Sequence, residues 1–144
     1  MGGYMNDAKT DLWATPKHLL ESIVEEFGAI DLDPCATPTN AVSERFYTIE
    51  DDGLEKRWDA RFVYVNPPYG RGLIHWTTKA VQSIENDDAE LIVMLLPSRT
   101  ETRWFWVLLE SELCEIRFIK GRLKYGDGKK DAPFGLCLAI LCKR

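Results

Sequence analysis

The segment Arg61-Phe62-Val63-Tyr64-Val65-Asn66-Pro67-Pro68-Tyr69-Gly70 decides the fold. After Arg61 its first half is aromatic and β-branched, a strand composition. The two prolines remove two N–H donors and fix a rigid turn, so the strand stops at Asn66. An amphipathic pattern follows, with Leu73, Trp76, Ala80, Val81 and Ile84 on one side of a helix predicted over 73–84. A strand, a stiff corner and a helix in that order are the unit of an α/β sheet.

Downstream, Glu90–Leu96 is a continuous apolar run of the kind buried on both faces. Thr102–Leu113 is predicted as a helix with Phe105, Leu108 and Leu109 inward, and Cys114–Ile119 as an alternating edge strand. Gly121–Pro133 is a polar loop and Gly135–Cys142 a long apolar strand. Upstream, Thr15-Pro16 opens a helix, Thr15 as a candidate hydroxyl cap and Pro16 at the first helical position. Leu19, Leu20, Ile23, Val24 and Phe27 form its apolar face, and Gly28 ends it. Ala29–Asp33 reads as a short strand stopped by Pro34, and Arg45–Ile49 as a further candidate strand before an acidic turn.

Helices therefore alternate with strands, which predicts an α/β sheet, mainly parallel, with a C-terminal antiparallel hairpin. Only 27 residues, 34–60, separate the first strand from the Arg61–Val65 strand. Two further βα units do not fit there, since one βαβ unit takes roughly 30 residues. The sheet is expected to be trimmed. Ligands of such sheets sit at the carboxyl ends of strands, which puts Asp33–Ala36 and Asn66–Tyr69 on one edge.

The chain has 144 residues, 45% of them hydrophobic and 28% charged, a globular balance that excludes disordered and coiled-coil classes. One domain over 12–144 is expected, after a flexible segment over 1–11. No apolar run reaches the roughly 18 residues of a membrane helix. No basic patch followed by an apolar segment opens the chain, so a cytoplasmic location is expected. Four cysteines without a Cys-x-x-Cys pair, and two histidines remote from them, predict reduced thiols and no metal centre. The net charge of −5 argues against a non-specific nucleic-acid coater. Yet residues 1–72 carry −6 and residues 73–144 carry +1, and 117–130 alone carry +5. An acidic first half suits a cationic small ligand, and a basic segment suits a phosphate backbone. Two ordinary solvated surfaces would have the same composition.

The corner itself points to a specific chemistry. Asn66 offers a side-chain carbonyl, Pro67 a backbone carbonyl, and Tyr69 an aromatic face. An amino group on a flat ring is a poor nucleophile because its lone pair is delocalised. Two acceptors on its two N–H bonds direct the lone pair outward, and an aromatic ring stacks on the base and faces a positive sulfonium. The alternative is a structural turn that caps a strand. Thr15 likewise is either a plain cap or, at a helix N-terminus, a seat for a carboxylate.

Asn66-Pro67-Pro68-Tyr69 resembles the (Asp/Asn/Ser)-Pro-Pro-(Tyr/Phe/Trp) signature of methyltransferases that act on exocyclic or amide nitrogen. Trp13-Ala14-Thr15-Pro16 resembles the Thr-Pro element that, in one order of these enzymes, helps hold the amino-acid part of the cofactor. Asp31-Leu32-Asp33-Pro34-Cys35-Ala36 resembles their Asp-Pro-Ala-Cys-Gly cofactor loop, though the glycines are missing. With Phe46-Tyr47-Thr48, Asp52-Gly53-Leu54, Trp58, Leu95-Leu96-Pro97, Trp104-Phe105, Phe118–Leu123 and Phe134-Gly135, the chain over about 12–142 is similar to the phage-type DNA N6-adenine methyltransferase (Dam) family.

The resemblance implies a trimmed Rossmann-like methyltransferase sheet, S-adenosylmethionine as methyl donor, and adenine in duplex DNA, with GATC as the family-level site, as acceptor. It implies a cytoplasmic setting in a bacterial or phage-infected cell, where the methylation either protects a viral genome or accompanies a nuclease as in restriction-modification. Asn66, Pro67, Pro68 and Tyr69 are the expected catalytic residues. Trp13, Thr15, Pro16, Asp31, Asp33, Pro34, Cys35, Ala36, Asp52 and Asn66 are the expected cofactor contacts. Asp33 is assigned to the cofactor's ammonium; at the end of a candidate strand, one acid of Glu50, Asp51 and Asp52 either binds its ribose or belongs to a solvated acidic turn. Arg99, Arg103, Lys120, Arg122, Lys124, Lys129 and Lys130 are the phosphate candidates. Tyr125 or Phe134 would support a flipped base. The rivals are a nitrogen methyltransferase acting on RNA or protein glutamine, and a non-catalytic nucleic-acid-binding relative. A cytosine-carbon enzyme is disfavoured because Cys35 follows the wrong strand. The oligomeric state is left open.

Overall fold

The computed structural model describes residues 14–121, 124–125, 130–131 and 134–143. Its elements run α1 (Lys17–Phe27), β1 (Ala60–Val65), α2 (Leu73–Glu85), β2 (Ala89–Pro97), α3 (Arg103–Leu109), β3 (Cys114–Phe118), β4 (Lys124–Tyr125), β5 (Lys130–Asp131) and β6 (Leu136–Cys142), with a 3-10 turn at Gly53–Glu55 before β1. The main sheet has the order β1-β2-β6-β3, and β4 pairs β5 separately.

The predicted α/β sheet is present, but two of its three ladders are antiparallel. β1 and β2 pair parallel, whereas β6 pairs antiparallel with both β2 and β3. The cause lies in the strands' composition. β6 is apolar on both faces and buried over Leu136–Leu141, while β3 alternates and stays half exposed. A strand buried on both faces belongs inside a sheet, and a polar one tolerates the edge. β6 therefore inserts between β2 and β3, and its reversed direction makes both its ladders antiparallel. β3 itself runs the same way as β1 and β2.

Beyond β1 the two predicted N-terminal strands shrink to single bridges, Leu32 with Val63 and Asp33 with Phe46, both parallel. Pro34 ends the first at once. The Asp31 side chain takes the Phe62 N–H at 3.0 Å and completes the pairing that a longer strand would have made.

Alternate residues of each strand face opposite layers. Phe62, Tyr64, Val93, Leu95, Leu138 and Ile140 pack under α1 around Ile23. Val63, Val65, Ile92, Met94, Cys137 and Ala139 pack under α2 and α3, against Leu73, Trp76, Ala80, Phe105 and Leu108. Each fully buried large side chain contributes about 1.5–3 kcal/mol, so this two-sided core fixes the register of the sheet edge above it. Gly28 ends α1 at φ 95°, and Arg61 donates to the carbonyls of Phe27 and Ala29 at that helix end. α3 is shorter than the predicted 102–113. Thr102 caps it by accepting from the Phe105 N–H at 3.3 Å. Thr15 does not cap α1; Pro16 holds that position. No helix among the described residues is long and apolar enough to cross a membrane. No group of three metal-ligating side chains occurs among them.

Candidate active site

β1 ends at Val65, and Asn66, Pro67, Pro68 and Tyr69 turn across its carboxyl end to form one wall of a cleft. Gly70 follows at φ 135°, a conformation that suits glycine. Opposite the corner stand Thr15 and the loop from Asp33 to Thr37, and Thr48, Ile49 and Glu50 close one end. The sheet thus brings Thr15, Asp33, Cys35 and Ala36 beside the diproline corner, as the strand-end argument expects.

Asn66 is tied at both ends of its amide. Its Nδ2 donates to Thr15 Oγ1 at 3.3 Å, and its Oδ1 lies 3.4 Å from the Tyr69 hydroxyl. The Tyr69 hydroxyl is also 3.2 Å from the Leu95 carbonyl. Thr15 Oγ1 is in turn 2.7 Å from the hydroxyl of the buried Tyr64. The Tyr69 ring meets Phe134 edge-on, with centroids 5.5 Å apart.

Asp33 is 4% exposed. Its two oxygens accept the N–H groups of Cys35 at 3.2 Å and Val42 at 3.1 Å. Burial pushes its carboxyl up to about 6, against the pull of those two N–H groups. Burial also raises the Cys35 thiol, with Asp33 adding to it, so Cys35 is an inert wall residue. Glu50 Oε1 accepts from Thr48 Oγ1 at 3.3 Å. No Lys, Arg or His is among the described residues that line this cleft. Its charge is carboxylate charge.

A second cleft lies on the other side of Tyr69, and its character is opposite. Arg71, Arg99 and Arg103 line it together with Trp104 and Phe134. Tyr69 lines both clefts and is the partition between them.

Several expected contacts fall elsewhere. Pro16 caps α1 and Asp31 pairs with Arg61 at 3.5 Å; neither lines the acidic cleft. Pro34 packs on Gly53, and Asp52 holds a left-handed turn at φ 56° outside the lining. Asp51 is tied to the Thr48 N–H at 2.9 Å, which leaves Glu50 as the acid of that turn facing the cleft. Arg99 and Arg103 line the basic cleft, whereas Lys120 is exposed away from it. Trp13, Arg122 and Lys129 lie outside the described residues. At Lys124, Tyr125 and Lys130 only the strand pairing is described. Sequence reasoning left Arg71 and Tyr64 without a role. Arg71 follows the corner by two residues, and that adjacency was the available signal.

The sequence of the chain matches the family model described as DNA N-6-adenine-methyltransferase (Dam) over residues 3–135. It is 38% identical over 100 residues, 69% of the chain, to a DNA N-6-adenine-methyltransferase of Escherichia phage T1. It is 34% identical over 96 residues, 66% of the chain, to a protein of the same name from Haemophilus phage HP1. The matched regions span 41% and 54% of those two proteins. With the diproline corner facing the cleft and the family match running through it, the chain belongs to the DNA N-6-adenine-methyltransferase (Dam) family.

Proposed function

We propose that the protein transfers a methyl group from S-adenosylmethionine to the exocyclic N6 of adenine in DNA. The target base is flipped out of the duplex, with GATC as the sequence to test first. The observation that carries this reading is the partition at Tyr69. An acidic cleft lies on one side of the Asn-Pro-Pro-Tyr corner and an arginine-lined cleft on the other.

The residues of the acidic cleft fit a cationic donor. Asp33 and Glu50 supply carboxylates, Thr15 and Thr48 hydroxyls, and Ile49 and Ala36 apolar surface, with no cation among the described lining residues to repel the ligand. A cofactor bound through phosphates would meet the wrong sign of charge there. S-adenosylmethionine, when bound, supplies a methyl carbon made electrophilic by its sulfonium. Asp33 would hold the ammonium and Glu50 the ribose hydroxyls. Gly53, from the neighbouring turn, supplies the small residue that the Asp33–Ala36 loop itself lacks.

At the corner, Asn66 Oδ1 and the Pro67 carbonyl accept the two N–H bonds of the adenine amine and turn its lone pair toward the acidic cleft. Tyr69 stacks on the base. Arg71 and Arg103 hold phosphates, while Arg99 beside them is paired with Glu101 at 2.6 Å. Catalysis is positioning and electrostatics, without a covalent enzyme intermediate, and the amine proton leaves to water. Arg71 and Arg103 favour a nucleic acid over a peptide glutamine. The phage relatives support a setting in the cytoplasm of a bacterial or infected cell.

The test is transfer of labelled methyl to duplex DNA, RNA and a glutamine peptide, followed by mapping of the product. N6-methyladenine in DNA is expected. Label confined to RNA or peptide, or no label with any acceptor, overturns the reading.

A further inference from the structure

An asparagine amide is nearly symmetric in shape, and a half-turn about its last torsion exchanges oxygen for NH2. Only one of the two orientations serves the corner. With the carbonyl toward Tyr69, Asn66 accepts an amine N–H; with the NH2 there, donor faces donor. Something must break the symmetry, and a lone hydroxyl cannot, because it donates or accepts with equal ease.

The structure supplies a second hydroxyl. Thr15 Oγ1 is 3.3 Å from Asn66 Nδ2 and 2.7 Å from the Tyr64 hydroxyl. Tyr64 is 1% exposed, so its hydroxyl is held by protein partners rather than bulk water. Either oxygen of that pair can be the donor; with Thr15 as the donor its single proton goes to the Tyr64 oxygen, only lone pairs remain for Asn66, and only the NH2 end of the amide can meet them. We propose that Thr15 donates to Tyr64, and that this hydroxyl pair locks the rotation of the Asn66 amide and so presents its carbonyl to the acceptor amine. This inference rests on the methyl-transfer reading. It makes Thr15 and Tyr64 positioning residues, and gives Thr15 a task distinct from contact with the cofactor.

The experiment compares the wild-type chain with Tyr64→Phe, Thr15→Val and Thr15→Ser, all close to isosteric. It has two independent readouts. The first is exchange of the Asn66 side-chain NH2 by NMR in the protein alone. Protection is expected in the wild type, faster exchange in Tyr64→Phe and Thr15→Val, and protection restored in Thr15→Ser. The second is kinetics with duplex DNA together with direct binding of S-adenosylmethionine. The Tyr64→Phe and Thr15→Val changes are expected to lower kcat about tenfold, the scale of one misdirected hydrogen bond, with cofactor affinity changed less than twofold. Thr15→Ser is expected to recover most of the loss. Unchanged NH2 exchange in Tyr64→Phe overturns the inference. So does a Thr15→Val defect confined to cofactor affinity, which would make Thr15 a ligand contact. A wild type with a protected NH2 that methylates no DNA overturns the methyl-transfer reading and leaves the orientation lock standing as a structural feature.

Discussion

Gly53 and Pro34 meet backbone to backbone: a Cβ added at Gly53 would stand 1.9 Å from the Pro34 carbonyl oxygen. The contact joins the turn that carries Glu50 to the loop that carries Asp33, and Gly53 also accepts the Trp58 indole N–H at 2.9 Å. No side-chain rotation can relieve a clash with a carbonyl. Gly53→Ala is expected to destabilise the fold by about 2–4 kcal/mol and to weaken S-adenosylmethionine binding. Chemical denaturation and calorimetry check both. Wild-type stability in that variant would show that the two loops move freely.

The buried Asp33 makes stability depend on pH with a defined sign. Its folded value, about 6, is raised above its ordinary 3.8, so the folded state holds the proton more tightly than the unfolded chain does. This contribution to stability is fully present below pH 3.8 and is lost as the pH rises through 6. The gap is worth about 3 kcal/mol. Denaturation of the protein alone should therefore show this component falling between about pH 4 and 6. Asp33→Asn should remove that slope. A cation bound beside Asp33 lowers its value again, so S-adenosylmethionine should stabilise the protein more at pH 7 than at pH 4.5. Equal stabilisation at the two values would remove Asp33 from the ligand site.

Much of this architecture was legible in the sequence, for identifiable reasons. Strand β1, the helix after it and the diproline corner are announced by local chemistry, because two prolines leave the chain few choices. The placement of Asp33 beside Asn66 followed from strand polarity alone. The parallel β1–β2 pair and the antiparallel β3–β6 hairpin were legible, but the antiparallel β2–β6 ladder was not. It is set by competition between strands for the interior of the sheet, which the fully apolar β6 wins over β3. The cap alternative for Thr15 failed for a similar reason. Before proline it has the signature of a helix cap, and only the long-range contact with Tyr64, 49 positions away, reassigns its hydroxyl. Arg117 belongs to a basic run in the sequence, yet in the fold it grips Glu26 with two hydrogen bonds of 2.6 and 3.0 Å.

That reassignment of Arg117 separates two kinds of arginine. Arg117 pairs with Glu26 and lies over the Phe27 ring, so its charge is already engaged with α1. Arg71 and Arg103 line the basic cleft beside Tyr69. Each of these two, changed to alanine, should reduce the salt dependence of DNA binding by about 0.9 in the slope of log K against log salt, the signature of one lost phosphate contact. Arg117→Ala should leave the slope unchanged. A titration of binding across salt concentrations reads all three. A slope that fell for Arg117→Ala and not for the other two would place the DNA on the β3 side of the sheet.

Asn66 is where cofactor binding and chemistry should come apart. Its carbonyl faces Tyr69 rather than Asp33 or Glu50, so its removal leaves the acidic wall intact. Asn66→Ala is expected to lose at least about 100-fold in methyl transfer, the scale seen when one preorganised hydrogen-bonding group is removed from a reacting site. Thermal stabilisation by S-adenosylmethionine should persist in that variant, worth about 2.7 kcal/mol at 100 times the dissociation constant. Losing both together would mean that Asn66 itself holds the cofactor. Keeping both would mean that the amine is held by the Pro67 carbonyl without the side chain, because Pro67 is the other acceptor that the corner offers.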